Sequence, residues 1–220
     1  MQIKYLGHSA FEISSNNDII LIDPFLECNP SYAPKKISDI FVTHGHGDHL
    51  GSAIELSKNF NSKITAIFEL ANYCTRFGAL ANGVSFGGKL HFNWGWALFL
   101  PAIHSSSTPD GQYAGSPAGI LFEIEGVKVF NAGDTCLNTE FKVIKEIYNP
   151  QIALLPIGGH FTMDIEQASI AAKWLGVKTV IPMHYNTFPA IKCNPEELKN
   201  NLKKDSIVVN ILKINESLTV

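Results

Sequence analysis

Apolar residues in this chain come in short runs cut by polar turns, a spacing that predicts strands before it predicts helices. Residues 2–6, 11–13 and 19–22 read as the first three strands, with the polar stretch 14–18 turning the chain between the last two. A fourth is expected at 39–43, ending at the segment His44-Gly-His-Gly-Asp-His49. A helix should start at Ser52, where Glu55 stands three residues on, as in a capping box. Strands are expected again at 63–68 and 89–103, the latter broken at 93–95, with a helix at 69–76 between them. The second half repeats the theme: strands at 118–125, 127–131, 152–157, 177–183 and 207–212, helices at 139–148, 164–175 and 195–203. Asp164 and Gln167 again sit at capping-box spacing. Two groups of strands with helices interspersed predict one α/β domain over residues 1–220. Its expected form is two mixed sheets packed face to face and flanked by helices, a four-layer α/β/β/α sandwich. No sequence repeat links the halves, so duplication could show only in the structure.

Composition narrows the class. With 220 residues, 45% hydrophobic and 17% charged, the chain has the make-up of a soluble enzyme and enough length to bury a core without staples. Net charge is −3, and the basic side chains, with Arg76 the single arginine, are spread along the chain. That argues against a nucleic-acid face, which relies on clustered Lys and Arg. Cys28, Cys74, Cys136 and Cys193 are widely spaced and form no C-x-x-C pair, so they read as reduced thiols. Cys136 reads as a small buried filler. The opening MQIKYLGHSAFEI is too polar and strand-like for an export signal, and no apolar run reaches the ~18 residues of a bilayer span. A soluble, cytoplasmic protein acting on a small molecule, without membrane contact, is expected.

One regularity carries the chemistry. Strand-like runs end repeatedly in a metal-capable residue: LID at Asp23, FVTH at His44, LPAIH at His104, VFNAGD at Asp134 and VIPMH at His184. Strand ends can converge on one edge of a sheet, where loops meet solvent. In extended chain His44 and His46 share a face and can hold one ion together, so the segment should be a loop. Gly45 and Gly47 would supply the positive φ of a tight reversal, aiming Asp48 and His49 at a second point. Imidazoles and carboxylates suit zinc, and also manganese, iron or nickel. Five of the chain's eight histidines fall at these candidate positions.

The segment resembles the H-x-H-x-D-H signature of the metallo-β-lactamase superfamily, and LIDPF, HSS, AGDT and MHY follow in the family's order. GHSAF, GGHFTM and MHYNTFP resemble the small metal-dependent hydrolases related to ascorbate-6-phosphate lactonase. The resemblance implies two divalent ions, zinc foremost. His44, His46 and His104 would hold one, Asp48, His49 and His184 the other, with Asp134 bridging them and a hydroxide between. Asp23 would lie beneath the ligand loop and accept hydrogen bonds. Two such ions against two carboxylates leave a centre near about +2, able to lower a water's pKa toward roughly 7 and to attract anionic or carbonyl-rich substrates. Asp48 could take the water's proton. The expected reaction is hydrolysis of an ester, lactone or phosphoester-type bond in a small anionic substrate.

Beyond the ligands, His160 follows a strand and precedes a helix, and is read as binding substrate or protonating the leaving group, with Thr162 assisting. His8 ends the first strand and is read as supporting the centre. The loops 24–34 and 105–116 should rim the pocket, and His91 gets no role. Two other readings are open: a protein that binds metal or a small ligand without turnover, and a metal-dependent RNA-processing nuclease. The nuclease would want a basic arm or an extra domain, and neither is evident in the sequence.

Overall fold

Inward and outward side chains alternate along the strands and sort them into two sheets, described here from a computed structural model of residues 1–220. The first half supplies β1 (Gln2–Gly7), β2 (Ala10–Ser15), β3 (Asp18–Ile22), β4 (Asp39–Phe41), β5 (Lys63–Ile67) and β6 (Ala81–Val84). The second supplies β7 (Lys89–Phe92), β8 (Gly95–Pro101), β9 (Ala118–Ile124), β10 (Val127–Asn131), β11 (Ile152–Pro156), β12 (Thr179–Met183) and β13 (Val208–Val209). A last strand, β14 (Ser217–Thr219), returns to the first sheet beside β1. The two seven-stranded orders are β14-β1-β2-β3-β4-β5-β6 and β13-β12-β11-β10-β9-β8-β7.

The pairings repeat between the halves although the sequence does not. From β1 to β6 they run antiparallel, antiparallel, parallel, parallel, parallel. From β8 to β13 the succession is the same. Strands β1, β3 and β4 therefore run one way in their sheet, and β8, β10 and β12 one way in theirs. Their carboxyl ends carry the metal-capable residues.

Between the sheets lies a core of large apolar side chains. Phe11, Ile20, Ile22 and Phe41 from one sheet face Phe99, Ile120, Phe122, Leu154 and Ile181 from the other. The intervening residues face outward. Leu21, Ile40 and Ile64 pack under α2 (Ala53–Phe60) and α3 (Phe68–Arg76) through Leu56, Leu70 and Cys74. Leu121, Phe130, Ala153 and Leu155 pack under α4 (Glu140–Tyr148), α5 (Ile165–Leu175) and α6 (Pro195–Leu202). Helices on both outer faces complete the four layers. No helix is long and apolar enough to cross a membrane.

Several local expectations need correction. The ligand segment is not all loop: His46 caps a one-turn helix, α1 (Gly47–Leu50), which carries Asp48 and His49. Gly45 and Gly47 do not adopt positive φ; Gly51 does, at 42°, where it ends α1 and where a Cβ would collide with the Pro24 and Phe25 backbone. Gly45 is instead required by close approach, since a Cβ there would stand 2.4 Å from that of Ala114. Ser52 makes no side-chain cap, so its capping box with Glu55 does not form, whereas the Gln167 amide donates to Asp164 at 2.8 Å. β6 and β14 had no apolar alternation to reveal them, and the expected strand at 207–212 shrinks to β13. Cys136 is exposed, not buried.

Candidate metal centre

Asp23, one residue beyond β3, organises the floor. Its carboxylate accepts from the Thr43 amide at 2.8 Å, the Thr43 hydroxyl at 2.7 Å and His49 Nδ1 at 2.8 Å. Because the Thr43 proton goes to Asp23, the hydroxyl oxygen is left to accept, and His44 Nδ1 lies 3.0 Å from it. That fixes the His44 proton on Nδ1 and leaves Nε2 as a lone pair pointing inward. His46 Nδ1 faces this nitrogen at 2.9 Å. His49, held at Nδ1, likewise turns Nε2 inward, where it is buried and without a hydrogen-bond partner.

The other strand ends arrive from the second sheet. The buried Asp134, three residues past β10, has Oδ1 3.2 Å from His49 Nε2 and Oδ2 3.0 Å from His184 Nε2 and 3.6 Å from His104 Nε2. Asp48 lies on α1 with Oδ2 3.1 Å from His8 Nε2 and 3.8 Å from His184 Nε2. Donor atoms gather within 4.8 Å of one another in three overlapping sets: His44, His46 and His104; His44, His49 and Asp134; and His8, Asp48, His49 and His184. All seven residues expected from strand ends and motif thus converge at one edge of the two sheets.

The electrostatics call for positive charge at this point. Burial works against protonation of His49, yet Asp134 and Asp23 outweigh it and hold the imidazole well above the ordinary histidine range. Burial likewise opposes ionisation of Asp134, but His49 and His184 hold its carboxyl well below the usual range. At His44 burial prevails, together with repulsion from the positive charge of its histidine neighbours, and keeps the imidazole well below its ordinary value, neutral as a ligand must be. Inward lone pairs, a neutral imidazole and buried carboxylates fit a divalent cation in chemistry and aim.

His8 lies beside the centre. Its Nε2 faces Asp48, its ring lies 4.3 Å from that of His184, and its Nδ1 is 2.9 Å from Thr187 Oγ1. Thr187 was not expected: three residues past His184, it carried no signal that the loop would fold back. His160 and Thr162 are displaced from the cavity wall by the residue between them. A cavity of about 300 Å³ is lined by His46, Asp48, His104, Ser105, Asp134, Phe161 and His184. His160, exposed and at φ 57°, sets its ring 4.3 Å from Phe161, and the Thr162 hydroxyl turns to the Met163 carbonyl. Loop 105–116 contributes Ser105, whereas loop 24–34 reaches no part of the lining; its Phe25 packs against His8 at 5.7 Å. His91 is exposed on β7, remote from the centre in the fold.

Residues 2–184 match the family model described as the beta-lactamase superfamily domain. Over 229 aligned positions covering both chains completely, the sequence is 42% identical to a UPF0173 metal-dependent hydrolase of Bacillus cereus strain AH187. The same identity and coverage relate it to the corresponding protein of Bacillus mycoides strain KBAB4. Among solved structures, Igni18, a metallo hydrolase from the archaeon Ignicoccus hospitalis, superposes with a TM-score of 0.89 at 36% identity, covering 99% of this chain and 97% of its own. The metallo-β-lactamase fold protein YhfI of Bacillus subtilis shares the fold at a TM-score of 0.78 and 16% identity, covering 99% of each chain.

Proposed function

The chain belongs to the metallo-β-lactamase superfamily, and from that premise we propose that it is a hydrolase working with two divalent metal ions, zinc foremost. Manganese, nickel or iron would suit the same donors. The observation that carries this reading is Asp134, whose one carboxylate touches His104 of one histidine group and His49 and His184 of the other. In this reading His44, His46 and His104 would hold one ion and Asp48, His49 and His184 the second, with Asp134 available to both. When bound, the ions supply Lewis acidity, lowering a water's pKa toward about 7 and offsetting oxyanion charge.

The chain's own residues do the remainder. Asp23 fixes the proton on His49 Nδ1 and, through Thr43, that on His44 Nδ1, so both rings present Nε2 to the centre. His8 donates from Nε2 to one Asp48 oxygen, leaving the other to bind metal or receive the attacking water's proton. No lysine and no arginine lines the cavity. The bond cleaved is therefore read as an ester, lactone or phosphoester in a compact substrate, not a nucleic-acid strand.

Metal analysis of the purified protein, followed by a panel of esters, lactones and phosphodiesters with that metal restored, tests the reading. About two equivalents of metal and turnover that chelation abolishes are expected. Two bound equivalents with no substrate cleaved would favour a protein that binds metal without catalysis.

A further inference from the structure

Of the seven residues lining the cavity, His46, Asp48, His104, Asp134 and His184 are the candidate ligands, so the wall a substrate's remote part can touch is Ser105 and Phe161. Phe161 is 56% exposed although it is large and apolar. It is also held in place. Its amide donates to the Gly159 carbonyl at 2.6 Å, the Gly159 amide to the Met163 carbonyl at 3.0 Å, and the Met163 amide to the Thr135 carbonyl at 3.0 Å, one residue from Asp134. Two further exposed apolar side chains sit on loops that carry the centre: Ile103, 58% exposed and adjacent to His104, and Phe188, 39% exposed with its ring 5.4 Å from His8. An apolar side chain in the wall of a cavity, beside convergent polar groups, is where the apolar part of a ligand makes contact.

From this wall we propose that the part of the substrate not being cleaved is neutral and apolar, aromatic or alkyl, and lies on Phe161. The proposal rests on the hydrolase reading above and refines it. Negative charge is accommodated where the bond breaks, because no lysine or arginine lines the cavity wall to pair with a second anion. A carboxylate or phosphate on the remote group would lose water and gain no partner. Stacking of a flat apolar group on Phe161 would favour the neutral compound.

The test compares metal-replete protein on paired lactones and aryl esters that share a reacting group but carry either a neutral phenyl or a carboxylated tail. We expect kcat/KM about tenfold higher for the neutral member. In Phe161→Ala, an exposed position whose truncation leaves the core intact, that ratio should collapse through a rise in KM. In parallel, calorimetry compares benzohydroxamate with 4-carboxybenzohydroxamate, and the first should bind about tenfold tighter to the wild type only. Equal or tighter binding of the carboxylated probe, or an unchanged preference in Phe161→Ala, overturns the proposal. If no ester is cleaved but the hydroxamate order holds, the hydrolase reading falls and the apolar wall stands. Brisk turnover that prefers carboxylated tails sinks the wall alone.

Discussion

The two oxygens of Asp134 look in different directions, one at His49 and the other at His184 and His104, all within 3.6 Å. Asp134→Asn keeps that shape and removes the charge, so its effect isolates the bridging role. Bound metal should fall from about two equivalents to one or fewer, and turnover by at least about 100-fold; retention of both ions would remove Asp134 from the bridge. Residues of this kind were legible in the sequence because histidine and aspartate at strand ends are few and chemically distinctive. Thr187 and Phe161 were not: a threonine and a phenylalanine gain their roles only from loop geometry. Cys74 shows a titration set by its surroundings. Burial between α3 and the sheet pushes its thiol up to about 12. A folded-state value raised above the unfolded one contributes stability that is complete below the unfolded thiol's pKa and drains as pH rises toward 12. Unfolding free energy should therefore decline across about pH 9 to 12, by up to about 4 kcal/mol from this group. Buried Tyr5 and half-buried Tyr32 shift the same way. Urea midpoints taken across that range should fall less steeply in Cys74→Ala than in the wild type.

Elements were readable to the extent that burial imposed a period on them. β3, β9 and β12 pack one face on the inter-sheet core and the other under helices, and their apolar runs announced them. β6 and β14 lie at or beside the edges of the first sheet with mostly part-exposed residues, so no apolar period marked them. The ligand segment misled in an instructive way, because its glycines suggested a reversal of the backbone. What Gly45 provides is room: the segment runs against loop 105–116, where the Gly45 amide meets Ser106 Oγ at 3.2 Å and Ala114 closes over its Cα. Gly45→Ala would drive two methyl carbons to 2.4 Å and set the new one 3.1 Å from the Ser107 carbonyl. Overpacking of this kind costs about 1–3 kcal/mol, so the melting temperature should drop by about 2–12 °C. Adding Ala114→Gly should recover part of the loss, since it removes the nearer of the two obstacles. A melting temperature that Gly45→Ala leaves unmoved would mean that the two loops separate freely.

At the scale of the whole molecule, the two sheets meet through an apolar interior, and their loops meet again at the centre. Asp23, His44, Asp48 and His49 come from the first sheet's edge, and His104, Asp134 and His184 from the second's. Ions bound there would tie the halves together at their rim. They would also give a partner to His49 Nε2, which is buried without one. An unfolded chain scatters those donors over 162 positions, from Asp23 to His184, and cannot offer the same site. Metal should therefore bind the folded state almost exclusively and stabilise it by mass action. At free metal about 1,000-fold above the dissociation constant that amounts to roughly 4 kcal/mol, or about 8–16 °C for a chain of this length. Thermal unfolding with and without a chelator, with metal content measured on the same samples, gives the comparison. A fall of that size, reversed by adding zinc back, is expected; complete removal of the ions with no change in melting temperature would mean that protein contacts alone hold the rim and that the centre was built for chemistry without any share in the fold.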